Sequence, residues 1–118
     1  MSEADLYGPI QAAYSHGDTR LLRINAAVAW QGTVVERSAT RLVLLHPRPV
    51  RLATAGVSDF LGITEGGLFV ALEVKSERGR PTPEQAAFLD TITRLGGRAG
   101  VARSVQEAGR IIRGDALT

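Results

Sequence analysis

The segment Gly67-Leu68-Phe69-Val70-Ala71-Leu72-Glu73-Val74-Lys75 decides the fold, because its apolar run predicts a buried strand that ends in an acid and an amine. Side chains along a strand alternate between faces, and positions i and i+2 lie about 6.8 Å apart. Glu73 and Lys75 therefore share one face of this strand. The opposite face is apolar and carries Leu68, Val70, Leu72 and Val74. A second acid, Asp59, precedes this strand in the sequence.

The composition indicates a globular chain with a preference for arginine. Of its 118 residues 44% are hydrophobic and 22% are charged, which predicts one domain over residues 1–118. Only one of the 14 basic residues, Lys75, is a lysine, and the sequence pI is about 9.7. Arginine binds phosphate oxygens in a forked geometry, so this preference suits a nucleic-acid surface. A genome rich in G and C would produce the same preference without such a surface.

The sequence contains no sign of a membrane segment or of disulfide chemistry. No apolar run reaches the roughly 18 residues of a membrane span, and no charged-then-apolar leader opens the chain. The chain contains no cysteine, which excludes a disulfide framework. We therefore expect a cytoplasmic protein with no membrane partner.

A helix and several strands are predicted before Lys75. Residues 3–15 read as a helix, which Gly8-Pro9 either kinks or starts. Strand-like composition covers residues 20–35 and 41–45, with a hairpin loop at 36–40, a break at 46–49 and a short edge segment at 50–53. A strand at 57–63 and a turn at 64–67 precede the strand that ends in Lys75. These two strands predict an antiparallel hairpin that brings Asp59 beside Glu73.

Two helices with clear start signals follow Lys75. Thr82 is predicted as an N-cap, Pro83 as the first helical residue and Gln85 as the partner in a capping box, and Gly96-Gly97 ends this helix. Residues 98–103 predict a short strand, and Ser104-x-x-Glu107 opens a final helix to about residue 113. The order helix, strands, helix, strand, helix indicates an α/β fold.

Asp59, Glu73 and Lys75 together suggest hydrolysis of a phosphodiester. Two neighbouring carboxylates bind a hard divalent cation such as Mg²⁺ or Mn²⁺ through oxygen. The cation polarises a phosphoryl oxygen and lowers the pKa of bound water, and a nearby lysine orients that water and stabilises the transition state. We predict Asp59 and Glu73 as metal ligands and Lys75 as the third catalytic group. The main-chain carbonyl of Val74, between them, is a further predicted ligand.

Four other residues are candidates for this site or for its substrate. Gln85 and Glu3 each head the apolar stripe of a helix, so we predict a catalytic role for Gln85 and a place in the metal site for Glu3. Gln85 is equally explained as a capping-box partner. Arg78 and Arg80, in the loop after Lys75, are predicted to hold a nucleic-acid backbone.

Two further patterns have simpler structural explanations. His16 and His46 lie in turn-like segments without metal-ligand spacing, and are expected at the surface. Gly62-x-x-x-Gly66-Gly67 lacks the lysine and hydroxyl residue of a phosphate loop, so it is expected to form a hairpin turn.

Several stretches together resemble a VRR-NUC nuclease of the PD-(D/E)xK superfamily. They are Gly56-Val57-Ser58-Asp59-Phe60-Leu61-Gly62, Ala71-Leu72-Glu73-Val74-Lys75-Ser76-Glu77-Arg78-Gly79-Arg80, Thr82-Pro83-Glu84-Gln85 and Gly96-Gly97-Arg98-Ala99-Gly100-Val101-Ala102-Arg103-Ser104. Arg23-x-Asn25 and Trp30-x-Gly32 extend the similarity upstream. The sequence departs from the family pattern at Ser58, where the signature has proline, and it offers no sharp match between Thr33 and Ala55.

The resemblance implies a restriction-endonuclease-like core, a mixed β-sheet flanked by α-helices, with Mg²⁺ or Mn²⁺ at the carboxylates. By motif, Asp59 and Glu73 match metal ligands, Lys75 the catalytic lysine, Gln85 the helix glutamine near the site and Glu3 the acid of the first helix. The stand-alone, phage-type members are similar to Holliday-junction resolvases and are expected to form homodimers. The implied function is a metal-dependent DNA endonuclease of a bacterial cell or its phage, acting on branched DNA such as a Holliday junction or flap, or on duplex DNA.

Two other functions are compatible with parts of this pattern. One is a non-catalytic nucleic-acid-binding module with the same fold, against which the intact set of Asp59, Glu73 and Lys75 argues. The other is a small globular domain of unrelated role, whose acid and amine form a surface ion pair. Metal binding that depends on Asp59 and Glu73 separates the nuclease from this last alternative, and cleavage separates it from the first.

Overall fold

A computed structural model describes residues 2–25 and 27–115 of the chain. Within these residues the chain forms three α-helices and six β-strands. In chain order they are α1 (Glu3–Tyr14), β1 (Arg20–Arg23), β2 (Val28–Arg37), β3 (Leu42–Arg51), β4 (Phe60–Thr64), β5 (Leu68–Val74), α2 (Pro83–Arg94), β6 (Arg98–Ala102) and α3 (Val105–Arg113). This confirms the predicted α/β class, with a mixed sheet and flanking helices. None of the described helices is long and apolar enough to cross a membrane.

The chain divides into two compact units. The larger unit is formed by the chain up to Ile24 and from Ala55 onward, and the hairpin unit is Asn25–Thr54. The larger unit contains a four-stranded sheet in the order β1-β4-β5-β6. Strand β4 is antiparallel to both of its neighbours, β1 and β5, whereas β6 runs parallel to β5. The parallel pair is possible because α2 provides the crossover between β5 and β6.

The predicted hairpin of β4 and β5 is present. Its turn is a short 3₁₀ segment, Glu65–Gly67, in which Gly66 and Gly67 have φ of 78° and 75°. Glycine adopts these left-handed angles without the steric cost that other residues meet. Phe60 pairs with Leu72 across the ladder, so the register carried one step further sets Asp59 opposite Glu73. Asp59 itself immediately precedes β4, which begins three residues later than the predicted strand.

The core of the larger unit forms on the face of β5 that carries Val70, Leu72 and Val74. These residues are fully buried against Leu6 and Ile10 of α1, Phe60 of β4 and Ile111 and Ile112 of α3. Full burial of side chains of this size stabilises a fold by roughly 1.5–3 kcal/mol each. The packing places the carboxyl end of β5 next to the start of α1.

Helix α1 continues through Pro9. Its first turn is held by Asp5, whose carboxylate accepts hydrogen bonds from the backbone N–H and hydroxyl of Ser2 at 3.2 and 2.9 Å. Leu6 and Ile10, on either side of Pro9, are buried in the core, while Pro9 faces solvent. The alternative that the helix starts at Pro9 is therefore wrong, and Glu3 lies in its first turn.

The hairpin unit is an antiparallel ribbon of β2 and β3. The predicted break at residues 46–49 is wrong, because β3 runs through Pro47 and Pro49 to Arg51. A register shift after the pair Gln31 and Arg48 absorbs one extra residue of β3, and His46 there has φ of 52°. Proline is accepted at bulges and on outer edges, and each strand of a two-stranded sheet has an outer edge. The turn lies at residues 38–41, close to the predicted loop.

Candidate functional site

The end of β5 brings together the residues that the sequence singles out. Glu73 is the penultimate residue of β5 and Lys75 follows its last residue. The Lys75 ammonium nitrogen lies 3.9 Å from Glu73 Oε1 and 3.8 Å from Glu3 Oε1. Asp59 lies beside them, since it stands opposite Glu73 in the ladder. The structure thus places Asp59, Glu73, Lys75 and Glu3 in one cluster.

Asp59 is held by hydrogen bonds from two directions. Its Oδ2 accepts a hydrogen bond from the backbone N–H of Val74 at 2.7 Å, and its Oδ1 accepts one from the Tyr7 hydroxyl at 3.4 Å. The Arg23 guanidinium lies 3.7 Å from Oδ1. The backbone carbonyl of Asp59 accepts a hydrogen bond from the N–H of Ile24 at 2.7 Å. Asp59 therefore has a defined orientation although it precedes β4.

The main-chain carbonyl of Val74 faces the same side as Asp59. The backbone N–H of Lys75 donates to the carbonyl of Ala102 at 3.1 Å, toward β6. A trans peptide is planar, and its C=O points opposite to its N–H. No cis peptide is present among the described residues, so the Val74 carbonyl points away from β6. That direction is the side on which Val74 N–H meets Asp59.

Glu73 is a buried acid with incomplete partners. Its side chain is 3% exposed, and among the described residues no hydrogen-bond partner meets its Oε2. Burial, above all, raises the pKa of Glu73 from 4.5 to about 8. A hydrogen bond with Asp59 and the negative charge of that residue act in the same direction, while the Lys75 ammonium lowers the pKa. An acid in such surroundings favours a bound cation.

Helix α1 contributes two side chains one turn apart. Glu3 reaches Lys75, and Tyr7, four residues later, reaches Asp59. The Arg23 guanidinium stacks 3.8 Å above the centre of the Tyr7 ring. Burial, followed by the charge of Asp59, raises the pKa of Tyr7, so its hydroxyl stays a hydrogen-bond donor at neutral pH. Sequence reasoning missed the role of Tyr7, and only its spacing of four from Glu3 could have indicated it.

Gln85 forms a capping box with Thr82, as its sequence context also predicted. Its side-chain oxygen accepts the backbone N–H of Thr82 at 2.9 Å, and its own N–H donates to the Thr82 hydroxyl at 3.2 Å. Within the described chain no hydrogen bond joins Gln85 to Asp59, Glu73 or Lys75. The structure therefore explains Gln85 as the start signal of α2.

The loop after Lys75 carries the two arginines predicted to contact phosphate. Arg78 and Arg80 are exposed, and no hydrogen bond or ion pair of theirs involves the described residues. Arg103, the residue after β6, holds this loop: its Nη1 donates to the carbonyls of Ser76 and Gly79 at 2.7 and 2.6 Å. Sequence reasoning missed this role of Arg103. Its position just after the last strand carried no signal of it.

The oxygen atoms at this cluster fit a hard divalent cation. The described residues contain no group of three or more His, Cys, Asp and Glu side chains arranged to hold a metal ion. The carboxyl groups of Asp59 and Glu73 are neighbours instead, and the carbonyl of Val74 faces the side of Asp59. The buried Oε2 of Glu73 has no hydrogen-bond partner among the described residues, so a metal ion could serve as its partner. Mg²⁺ binds through few protein oxygens and keeps several waters, so this donor set suits it.

The two histidines play no part in this cluster. His16 and His46 are both exposed, as the sequence predicted. His16 bonds to the carbonyl of Ala13 at 2.8 Å, and His46 lies at the bulge of the hairpin unit.

The comparison with protein families agrees with this geometry. No curated protein matches the chain. The model of the VRR-NUC domain matches residues 15–106, which is more than three quarters of the chain. The match includes Asp59, Glu73 and Lys75, whereas Glu3 and Tyr7 of α1 lie outside it. A match of this extent, over the strands that form the cluster, shows that the chain belongs to the VRR-NUC family and has its nuclease-type fold.

Proposed function

We propose that this chain is a metal-dependent DNA endonuclease that hydrolyses phosphodiester bonds. Family membership supports nuclease activity in general and a nucleic-acid substrate. The observation that carries the finer proposal is the meeting of buried Glu73, Asp59 and the Lys75 ammonium at one end of β5. The two acids can hold a cation, and the Lys75 ammonium adds a positive charge beside them, as phosphodiester hydrolysis requires.

Asp59, Glu73 and the Val74 carbonyl would hold the metal. When bound, Mg²⁺ or Mn²⁺ supplies positive charge to the phosphoryl oxygens and lowers the pKa of bound water. The contact of Glu3 with Lys75 favours a role for Glu3 in positioning the ammonium group. Tyr7 and Arg23 keep the Asp59 carboxylate in position, because they approach its Oδ1 while Val74 N–H holds its Oδ2.

Lys75 acts on the attacking water and on the charge that develops on the phosphate. Its side chain is only 14% exposed, so most of it is packed against neighbouring residues. Contacts with Glu73 and Glu3 limit the positions that the ammonium can adopt. A donor that is positioned before the reaction stabilises the transition state without reorganising during it. Gln85, whose side-chain nitrogen is not used in the capping box, is proposed to face the substrate.

Arg78 and Arg80 are proposed to contact the DNA backbone. They are exposed in the loop that immediately follows Lys75, and Arg103 holds that loop. Arginines in such a loop can neutralise phosphates next to the cleaved bond.

Branched DNA and a homodimer complete the proposal. The resemblance to Holliday-junction resolvases supports a structure-specific activity on junctions or flaps. It also supports pairing of two chains, so that two sites address two strands.

A cleavage assay with labelled substrates tests this function. A four-way junction, a flap and a plain duplex are incubated with the protein in Mg²⁺, Mn²⁺ or EDTA. Glu73→Gln removes the charge of the buried acid at nearly constant volume, and Glu77→Gln is a matched control on an exposed acid nearby. Metal-dependent cutting that Glu73→Gln abolishes and Glu77→Gln retains supports the proposal. DNA binding without cutting in any metal points instead to a non-catalytic module with this fold.

A further inference from the structure

The hairpin unit carries a net positive charge because it holds only one of the 12 acidic residues of the chain. Residues 25–54 hold four arginines and one glutamate, a net charge of +3, whereas the complete chain has a net charge of +2. The remaining residues therefore carry a net charge of −1. A surface of one sign attracts a polyanion and accelerates its association. This imbalance does not follow from the proposed catalytic cluster, which belongs to the larger unit.

The arginines of the hairpin unit are mostly free of acidic partners. Of the four arginines of this unit, only Arg41 forms an ion pair with a described residue, Glu36, at 2.9 Å. Arg37, Arg48 and Arg51 are exposed and form no ion pair with the described residues. Arg48 is oriented by Gln31 on the opposite strand, whose side-chain oxygen accepts its Nε and Nη2 at 3.2 and 3.0 Å. The guanidinium is thus held in one direction while its charge stays unneutralised.

The bulge of the hairpin unit adds a concave polar surface beside Arg48. An open cleft of about 270 Å³ lies there, lined by Gln31, Gly32, Thr33, Leu45, His46 and Arg48. The extra residue of β3 and the left-handed backbone of His46 form a bulge at this point, a feature that generally bends a strand. A two-stranded ribbon has the dimensions that the major groove of DNA admits.

We propose that the hairpin unit is a second DNA-binding surface, which contacts phosphates of a duplex arm of the substrate through Arg48 and Arg51. This inference rests on the proposed function, because it assumes a DNA substrate. Arg48 and Arg51 lie between Thr33 and Ala55, where the sequence offers no sharp match to the family pattern. A second copy of the hairpin fits this surface less well than DNA, although the described part of the hairpin unit exposes seven large apolar side chains, among them Val28, Trp30 and Leu42. Two hairpins in contact would bring their like charges together.

The salt dependence of DNA binding tests this surface directly. Binding of a labelled duplex is measured by fluorescence anisotropy over a range of KCl, in EDTA so that no cleavage occurs. Each phosphate contact contributes about 0.9 to the slope of log K against log salt, so Arg48→Gln with Arg51→Gln should reduce the slope by about 1.8. Arg94→Gln with Arg110→Gln changes the net charge equally on exposed helix positions of the larger unit, and should leave the slope unchanged.

The possible results separate this inference from the proposed function. Arg78→Gln with Arg80→Gln is the positive control, since that loop lies next to the catalytic cluster. A reduced slope for both the loop and the hairpin variants supports the second surface. A reduced slope for the loop variant alone overturns it and leaves the nuclease proposal intact. If the hairpin variant keeps the wild-type slope but sediments with a different mass, the hairpin is a contact between chains. A wild-type protein that binds no DNA at low salt contradicts the proposed function itself.

Discussion

The backbone N–H of Val74 donates a hydrogen bond of 2.7 Å to Oδ2 of Asp59. This bond links Asp59, which precedes β4, to β5, the strand that carries Glu73 and ends just before Lys75. The two carboxyl groups are thereby held close to each other, and burial together with the negative charge of Asp59 raises the pKa of Glu73. Such surroundings disfavour the ionised form of Glu73 in the protein alone, and the proposed cation would favour it.

Replacing Lys75 by alanine should abolish cleavage while leaving the fold and DNA binding largely intact. The loss should be at least about 100-fold, the usual effect of removing one group that stabilises the transition state. Single-turnover cleavage and anisotropy measure the two properties separately. Cleavage at the wild-type rate would show that Lys75 has no catalytic role.

The variant Glu3→Gln separates two roles of this acid. If Glu3 positions Lys75, as their separation of 3.8 Å indicates, cleavage should fall several-fold while Mn²⁺ affinity stays constant. Because Glu3 is 40% exposed, the effect on the free energy of unfolding should be small, about 0–1 kcal/mol. Calorimetric titration with Mn²⁺ gives the affinity. A loss of affinity as large as that of Asp59→Asn would show that Glu3 is a direct ligand.

The metal-free protein should become less stable as pH rises from about 4.5 to about 8. The pKa of Glu73 is about 8 in the folded chain and 4.5 in its ordinary state, so the folded state binds more protons in this interval. Folding is therefore favoured at the acidic end, and this contribution is lost as pH rises through the folded pKa. Urea unfolding in EDTA across this range measures it.

Glu73→Gln provides the control for that pH dependence. A neutral amide cannot titrate, so the fall in stability between pH 4.5 and 8 should become shallower in this variant. Saturating Mn²⁺ should reverse the trend in the wild type, because it stabilises the ionised acids. An identical pH profile for variant and wild type would exclude Glu73 as the source.

Ser58→Ala should stabilise the protein by about 1 kcal/mol, because it removes a polar group that is buried without compensation. Ser58 is 1% exposed, and its hydroxyl meets no hydrogen-bond partner among the described residues. This serine stands where the family signature has proline. Ser58→Thr adds volume and keeps the hydroxyl, so it should be neutral or destabilising. Thermal unfolding compares the two, and a less stable alanine variant would indicate an unseen partner of the hydroxyl.

Arg103→Ala should loosen the loop that carries Arg78 and Arg80. The guanidinium bonds of Arg103 to Ser76 and Gly79 are the contacts that hold it, so trypsin should cut after Arg78 several-fold faster in the variant. Cutting after Arg37, in the hairpin unit, is the internal control and should be unchanged. Equal rates at Arg78 in both proteins would show that other contacts hold the loop.

Local signals in the sequence predicted much of the larger unit. The apolar run of β5, the glycines of the β4–β5 turn and the capping box at Thr82 each depend on neighbouring residues. The antiparallel register followed from the short turn, and with it the approach of Asp59 to Glu73. The continuation of β3 through Pro47 and Pro49 was missed, because a bulge depends on the partner strand.

The members of the cluster at the end of β5 could be predicted from the sequence, whereas the residues that hold them in position were decided by tertiary structure. Residue type and period-two spacing were enough to put Glu73 and Lys75 on one face. Tyr7 meets Asp59 across 52 residues, and Arg103 reaches the carbonyl of Ser76 across 27. These contacts depend on how α1 and β6 pack against β5, and no local period encodes that packing. Short-range geometry is set by the backbone, while contacts between distant residues arise only when the whole core is assembled.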